Sequence, residues 1–269
     1  MQVTLTKHQA LGNDFLVYDL AQGVPSVAWR DLARRWCDRR FGIGADGLLI
    51  LENRGEGRLS MTLHNADGSV AEISGNGIRC LVQAAHSNDR LPSGVTYEVA
   101  TDAGVRHVAV VADDGAGTIQ ASVDMGVVAD LPQPTGWDVL GCQPDRPVAH
   151  LSLGNPHSVV AVDDVRAVSL EELGGKVPHV NLEIVEAGPE DDAVTMRVHE
   201  RGAGVTLACG SGACAAAYAA KRWGFVHPTT SEVVVHMDGG DARVRIDDVT
   251  RIATLVGPST FIATAAVNV

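Results

Sequence analysis

Residues 65–80 read NADGSVAEISGNGIRC, and residues 200–214 read ERGAGVTLACGSGAC. With Ser74 laid on Cys209, Gly75-Asn76-Gly77 falls on Gly210-Ser211-Gly212, at an offset of 135 residues. In each copy a glycine-rich turn opens an apolar, helix-forming run. Leu11-Gly12-Asn13 recurs as Leu153-Gly154-Asn155, at an offset of 142 and in the same order. Two features repeating half a chain apart point to an internal duplication. The repeat predicts an α/β (α+β) protein of two pseudo-symmetric domains, each a set of mixed and antiparallel strands wrapped around a central helix.

The remaining pattern fits this frame. Residues 2–8, 14–20, 48–52 and 58–64 read as strands, 76–88 as the first central helix, and 95–125 as mostly strand. After Pro25, Trp29, Leu32, Ala33 and Trp36 fall at helical spacing, with Ser26 as the expected N-cap. The Pro-rich passage 130–148 reads as the join between the halves.

Bulk composition narrows the function. A chain of 269 residues, 45% hydrophobic but only 4% aromatic, must fill its cores with aliphatic side chains and alanine. A net charge of −12 opposes nucleic acid or an anionic membrane as partner. The opening MQVTLTKHQA has no apolar core of a signal peptide, and no apolar run approaches membrane-spanning length. Five cysteines in so long a chain read as reduced thiols, which predicts a cytoplasmic protein.

A helix start carries unpaired N–H groups and a partial positive charge, so two such starts can grip one carboxylate. The residue ahead of each glycine turn then flanks the ligand. A thiol placed there is expected to ionise more readily than a free one. Two acid/base groups on opposite faces of a carbon beside a carboxylate describe racemisation or epimerisation without a cofactor. Cys37 and Cys142 lack this setting and read as inert, whereas Cys80 and Cys214 lie inside the two central helices and read as packing residues.

At this point the sequence resembles the diaminopimelate epimerase family. The resemblance is carried by LGNDF (11–15), GIGADG (42–47), NADGS (65–69), GNGIRC (75–80), LGNPH (153–157), VNLE (180–183) and ERGAGVTLACGSGACA (200–215). It implies an active site in an interdomain cleft, with domains of 1–121 plus 259–269 and of 122–258. It implies Cys209 as one of two catalytic cysteines and places Ser74 where the other belongs. By position, Asn65, Asn155, Asn181 and Arg201 match the readers of a distal carboxylate. Glu200, Asn13, Gly75, Asn76, Gly210 and Ser211 match the groups around the reacting carbon. The resemblance further implies diaminopimelate as the small-molecule substrate, no cofactor and a homodimer; the Cys209–Cys214 spacing is not that of a zinc knuckle and the ten histidines show no ligand spacing, so no metal is expected.

Serine is a much weaker acid than cysteine, so Ser74 alters the expected chemistry. Three readings stay open from sequence: an epimerase whose second base is replaced, a racemase of another amino acid, and an inactive amino-acid-binding protein. His64 and His157 are potential neighbours of Ser74 that sequence cannot place. FGIGADG contains a literal GxGxxG, but its expected order is helix, turn, strand, which rules out a dinucleotide fingerprint.

Overall fold

The computed structural model describes residues 2–71, 73–89 and 92–269. Its backbone divides into two compact units: residues up to Val123 together with Gly257–Val269, and Asp124–Val256. The first unit carries β1 (Gln2–Ala10), β2 (Asn13–Asp19), α1 (Trp29–Trp36), β3 (Gly47–Asn53), β4 (Arg58–Asn65), β5 (Val70–Ala71), α2 (Gly75–Asp89), β6 (Thr96–Thr101), β7 (Gly104–Asp113) and most of β8 (Thr118–Val127). The second carries β9 (Ala129–Asp130), β10 (Val148–Ser152), β11 (Pro156–Ala161), α3 (Leu170–Lys176), β12 (Asn181–Ala187), β13 (Ala193–Glu200), β14 (Gly204–Thr206), α4 (Gly210–Trp223), β15 (Val233–Met237), β16 (Gly240–Ile246) and the start of β17 (Ile252–Asn268).

The two units repeat one topology. In the first, β1 pairs antiparallel with β2, β2 parallel with β3, β3 antiparallel with β4, β4 parallel with β6, and β6 antiparallel with β7. In the second, β10, β11, β12, β13, β15 and β16 pair in the same order and senses. Each parallel step is a crossover, and each unit's long central helix fills one of them. The C-terminal part of β17 runs antiparallel to β1, from Gln2↔Asn268 to Gln9↔Thr260.

The central helices are buried on all sides, as a helix apolar around its whole circumference must be. α4 achieves this with alanine: Ala213, Ala215, Ala216, Ala217, Ala219 and Ala220 have no exposed surface. Small side chains let strands approach from every direction, so few aromatics are needed. α2 instead buries Ile78, Leu81 and Val82 beside the polar Arg79, Gln83 and His86. Two of these are well partnered: the Arg79 guanidinium donates to Gly75 O, Asn76 Oδ1 and Pro258 O, and Gln83 Oε1 accepts from Ser259 Oγ.

Two local expectations are corrected. α1 begins at Trp29 with Ala28 as its N-cap, and no side chain caps it; Ser26 lies outside. Ala28 is still extended, and what holds the helix is its apolar stripe, with Trp29 and Trp36 packed on the Tyr18 ring. The Pro-rich passage 130–148 lies within the second unit, where it holds a short 3₁₀ turn (Trp137–Leu140) and the start of β10; the chain leaves the first unit inside β8.

Candidate active site

In the first unit the tight turn at Leu11 (φ 54°) and Gly12 (φ 83°) delivers Asn13 to the start of β2. The Asn13 amide donates to Asp46 Oδ2 at 2.5 Å, and its oxygen accepts from Asn76 Nδ2 at 3.4 Å. Asp46 is fixed in turn by Arg39, whose Nη2 lies 2.7 Å from Asp46 Oδ1 and 2.6 Å from Asp14 Oδ1. Lys7 Nζ adds a second cation 2.9 Å from Asp14. Burial would raise the Asp14 carboxyl, but Arg39 and Lys7 outweigh it and hold it below the usual range.

Ser74 stands immediately before α2, and its Oγ accepts a hydrogen bond from Gly77 N at 3.0 Å. Gly75 and Asn76 are buried at the helix start. Asn65 ends β4 in an exposed turn, where its amide donates to Ser69 Oγ at 3.0 Å. His64 is buried beside it, with Nδ1 lacking a hydrogen-bond partner among the described residues.

The second unit builds its half on the same plan. Cys209 is the N-cap of α4 in an extended conformation, and its Sγ accepts from Gly212 N at 3.4 Å. Ser211 Oγ is 3.6 Å from the same sulfur and accepts from Asn155 Nδ2 at 3.4 Å. Asn181 spends its side chain on bracing: Oδ1 accepts from Arg201 N at 2.9 Å, and Nδ2 donates to Pro156 O at 3.0 Å. Glu200 Oε1 accepts from Thr206 Oγ1 at 2.5 Å. Arg201 is exposed, and among the described residues its guanidinium has no hydrogen-bond or ion-pair partner.

Cys209 departs from expectation in one respect. Burial pushes its thiol well above the ordinary value, and the negative charges of Glu200 and Glu183 push it further. The Gly212 N–H and the Ser211 hydroxyl pull the other way and are outweighed. A helix start alone would favour the thiolate, but here Cys209 is only 5% exposed and feels the charges of Glu200 and Glu183. Cys37 and Cys80 are buried as well, each pushed up to about 12, foremost by burial.

The family model for diaminopimelate epimerase matches residues 5–130 and 150–262. This chain belongs to the diaminopimelate epimerase family. It is 38% identical over 283 aligned residues to the diaminopimelate epimerase of Thermosynechococcus vestitus, covering 96% of this chain and 97% of that relative. To that of Acaryochloris marina it is 36% identical over 281 residues, covering 96% of each. Its fold is shared with a predicted epimerase of Pseudomonas aeruginosa (TM-score 0.77, 13% identity, 99% of each chain). It is shared too with a hydroxyproline epimerase of Agrobacterium vitis (TM-score 0.64, 16% identity, 99% of this chain and 91% of that one). The protein is thus an isomerase of the amino-acid epimerase class, in a family that serves lysine biosynthesis. Among the described residues no cluster of His, Cys, Asp or Glu could hold a metal ion, and no helix is long and apolar enough to cross a membrane.

Sequence reasoning missed the residues behind the front line. Asp46 and Arg39 anchor Asn13, although Asp46 sits in plain view within GIGADG. Glu183, the last residue of VNLE, forms a buried pair with His157.

Proposed function

We propose that the chain interconverts LL- and meso-diaminopimelate without a cofactor. Cys209 moves the α-proton on one face of the α-carbon, and Ser74, or a water it holds, serves the other. Asn65, Asn155, Asn181 and Arg201 read the distal carboxylate. Glu200, Asn13 and the backbone of Gly75, Asn76, Gly210 and Ser211 hold the groups at the reacting carbon. The observation that carries this reading is the Cys209 sulfur at the start of α4, with the Gly212 N–H donating to it, the Ser211 hydroxyl 3.6 Å away and Glu200 nearby. The α-ammonium of the substrate offsets the charge of Glu200 and so lowers the barrier to forming the thiolate. The Arg201 guanidinium, without a partner among the described residues, supports a dicarboxylate substrate, because a fork of donors suits a second carboxylate.

Serine at position 74 slows the step that needs a second acid or base. General acid–base assistance is worth about 10²–10⁴-fold, and a loss on that scale is expected relative to a two-cysteine enzyme. The reading carries with it a cytoplasmic, homodimeric enzyme.

The deciding experiment is deuterium incorporation at the α-carbon in D₂O, with LL- and meso-diaminopimelate tested separately. Exchange with inversion supports the full reaction, and exchange from one isomer without inversion supports Cys209 acting alone. No exchange from either isomer, with binding intact, overturns epimerisation in favour of an amino-acid-binding protein. Exchange only with another amino acid transfers the site to a different racemase.

A further inference from the structure

The topological repeat allows the two helix starts to be compared residue by residue, and behind the glycines they differ. In the first unit, a methyl group on Gly77 would meet Leu49 Cδ2 at 3.4 Å, and one on Gly47 would meet Phe15 Cδ1 at 3.4 Å. The side chains at these two strand positions, Leu49 and Phe15, are apolar, although the atom nearest the methyl on Gly47 is the His64 carbonyl oxygen at 2.9 Å. In the second unit, Glu183 stands at the strand position of Leu49, and His157 at that of Phe15. A methyl group on Gly212 would lie 2.7 Å from Glu183 Oε1, so the carboxyl presses directly on the turn that carries Cys209.

Glu183 and His157 are both fully buried, with Nδ1 2.6 Å from Oε1. Among the described residues Glu183 Oε2 has no hydrogen-bond partner. A buried carboxylate with an orphan oxygen is costly, so the pair stays neutral overall and holds two protons, one between Oε1 and Nδ1 and one on Nε2. Burial raises the Glu183 carboxyl, which agrees with this protonation. With both protons in place, His157 Nε2 donates to Asn155 Oδ1 at 3.0 Å. The Asn155 amide then faces Ser211 Oγ with its Nδ2, which leaves the Ser211 hydrogen free to point at Cys209 Sγ, 3.6 Å away. Loss of one of the pair's two protons, leaving a carboxylate and a neutral imidazole hydrogenated only at Nδ1, would strip Nε2 of its hydrogen, flip the amide and withdraw the donor from the sulfur.

We infer that Glu183 is a positioning residue of the Cys209 half-site, acting through His157, Asn155 and Ser211 to direct a hydrogen bond at the sulfur. The inference rests on the proposed function for its kinetic consequence, but its spectroscopic consequence needs no substrate. The titratable groups acting on Glu183 are His157 from β11 and Glu200 from β13, and Glu183 acts in turn on Cys209 at the start of α4.

The test uses Glu183→Gln, Glu183→Leu and the double variant His157→Phe/Glu183→Leu, which copies the apolar pair of the first unit. Proton and ¹⁵N NMR of the substrate-free wild-type protein should show a strongly downfield imidazole N–H on His157, absent from all three variants. Its absence from the wild type, or a wild-type Nε2 without a hydrogen by its ¹⁵N shift, overturns the shared proton of a neutral pair, whatever the substrate. In kinetics, Glu183→Leu should lose roughly tenfold to a hundredfold in kcat with KM little changed, the scale of one charge-assisted hydrogen bond. Glu183→Gln, whose amide can still donate to Nδ1 and keep Nε2 hydrogenated, should retain most of kcat while losing any alkaline decline the wild type shows. The double variant should fold at least as stably as the wild type, which separates a packing defect from a positioning one. Wild-type kcat in Glu183→Leu, or equal losses in the Gln and Leu variants, overturns the role. A wild type that shows the downfield proton but no exchange with diaminopimelate counts against the proposed function and leaves the shared proton standing.

Discussion

The Gly77 N–H donates to the Ser74 hydroxyl at 3.0 Å, the same capping bond that the Gly212 N–H makes to the Cys209 sulfur. Ser74 is thus already held as an N-cap, in the place a thiol would take. Ser74→Cys should keep the fold and raise epimerisation by about 10²–10⁴-fold. Inversion rates in D₂O measure this, and an unchanged rate would show that Ser74 is not a proton-transfer position.

Cys209 serves both as cap and as proposed acid/base, and two substitutions separate the roles. Cys209→Ser retains an oxygen for the Gly212 N–H, so its thermal midpoint should stay near that of the wild type while α-proton exchange disappears. Cys209→Ala should lose exchange and also about 1 kcal/mol of stability, the worth of an N-cap. Residual exchange in both variants, measured by mass spectrometry, would remove Cys209 from the chemistry.

Gly212 and Gly77 should differ in tolerance. Gly212→Ala brings a methyl group within 2.7 Å of Glu183 Oε1, which is fully buried and hydrogen-bonded to His157. Overpacking of this kind costs about 1–3 kcal/mol. Gly77→Ala meets Ser74 Cβ at 3.1 Å and Leu49 Cδ2 at 3.4 Å, contacts that small shifts relieve. Denaturant midpoints should fall clearly for the first and little for the second.

Asp46 should matter to binding without touching the ligand. Asp46→Ala frees the Asn13 amide from its 2.5 Å anchor and leaves Arg39 with Asp14 alone. If Asn13 helps to hold the substrate, KM should rise about tenfold with kcat less affected. A KM that does not move would assign Asp46 to the ion network of the first unit only.

The His8 ring predicts an acid limb in stability. Burial lowers its pKa from 6.5 to about 4, opposed in part by the hydrogen bond to Gln83. The folded state therefore resists a proton that the unfolded chain accepts below pH 6.5. The contribution is fully present above that value, falls as pH drops toward 4, and amounts to roughly 3 kcal/mol. Denaturation midpoints from pH 7 to pH 4 should fall less steeply in His8→Gln than in the wild type. Parallel curves would show that other groups set the acid limb.

Much of this protein is local in origin and was therefore legible in its sequence. Glycine turns, strand alternation and the amphipathic stripe of α1 are set by φ/ψ freedom and by periodicity within a few residues. The duplication showed because two such local signatures recur in order. Ser74 and Cys209 were visible for the same reason, each being the residue before a helix start. The order helix, turn, strand around GIGADG also holds, with α1 ending at Trp36 and β3 starting at Gly47.

Tertiary structure decided what these residues face. His157 and Glu183 are 26 residues apart and meet only because β11 and β12 pair in parallel with one register. Asp46 reaches Asn13 across 33 residues. The ionisation of Cys209 followed the same rule: the helix start, readable locally, favours the thiolate, whereas burial and the carboxylates of β12 and β13 oppose it more strongly. Backbone geometry is written into neighbours along the chain. Burial and charge are summed over neighbours in space, so they became determinate only once the strands had closed around α4.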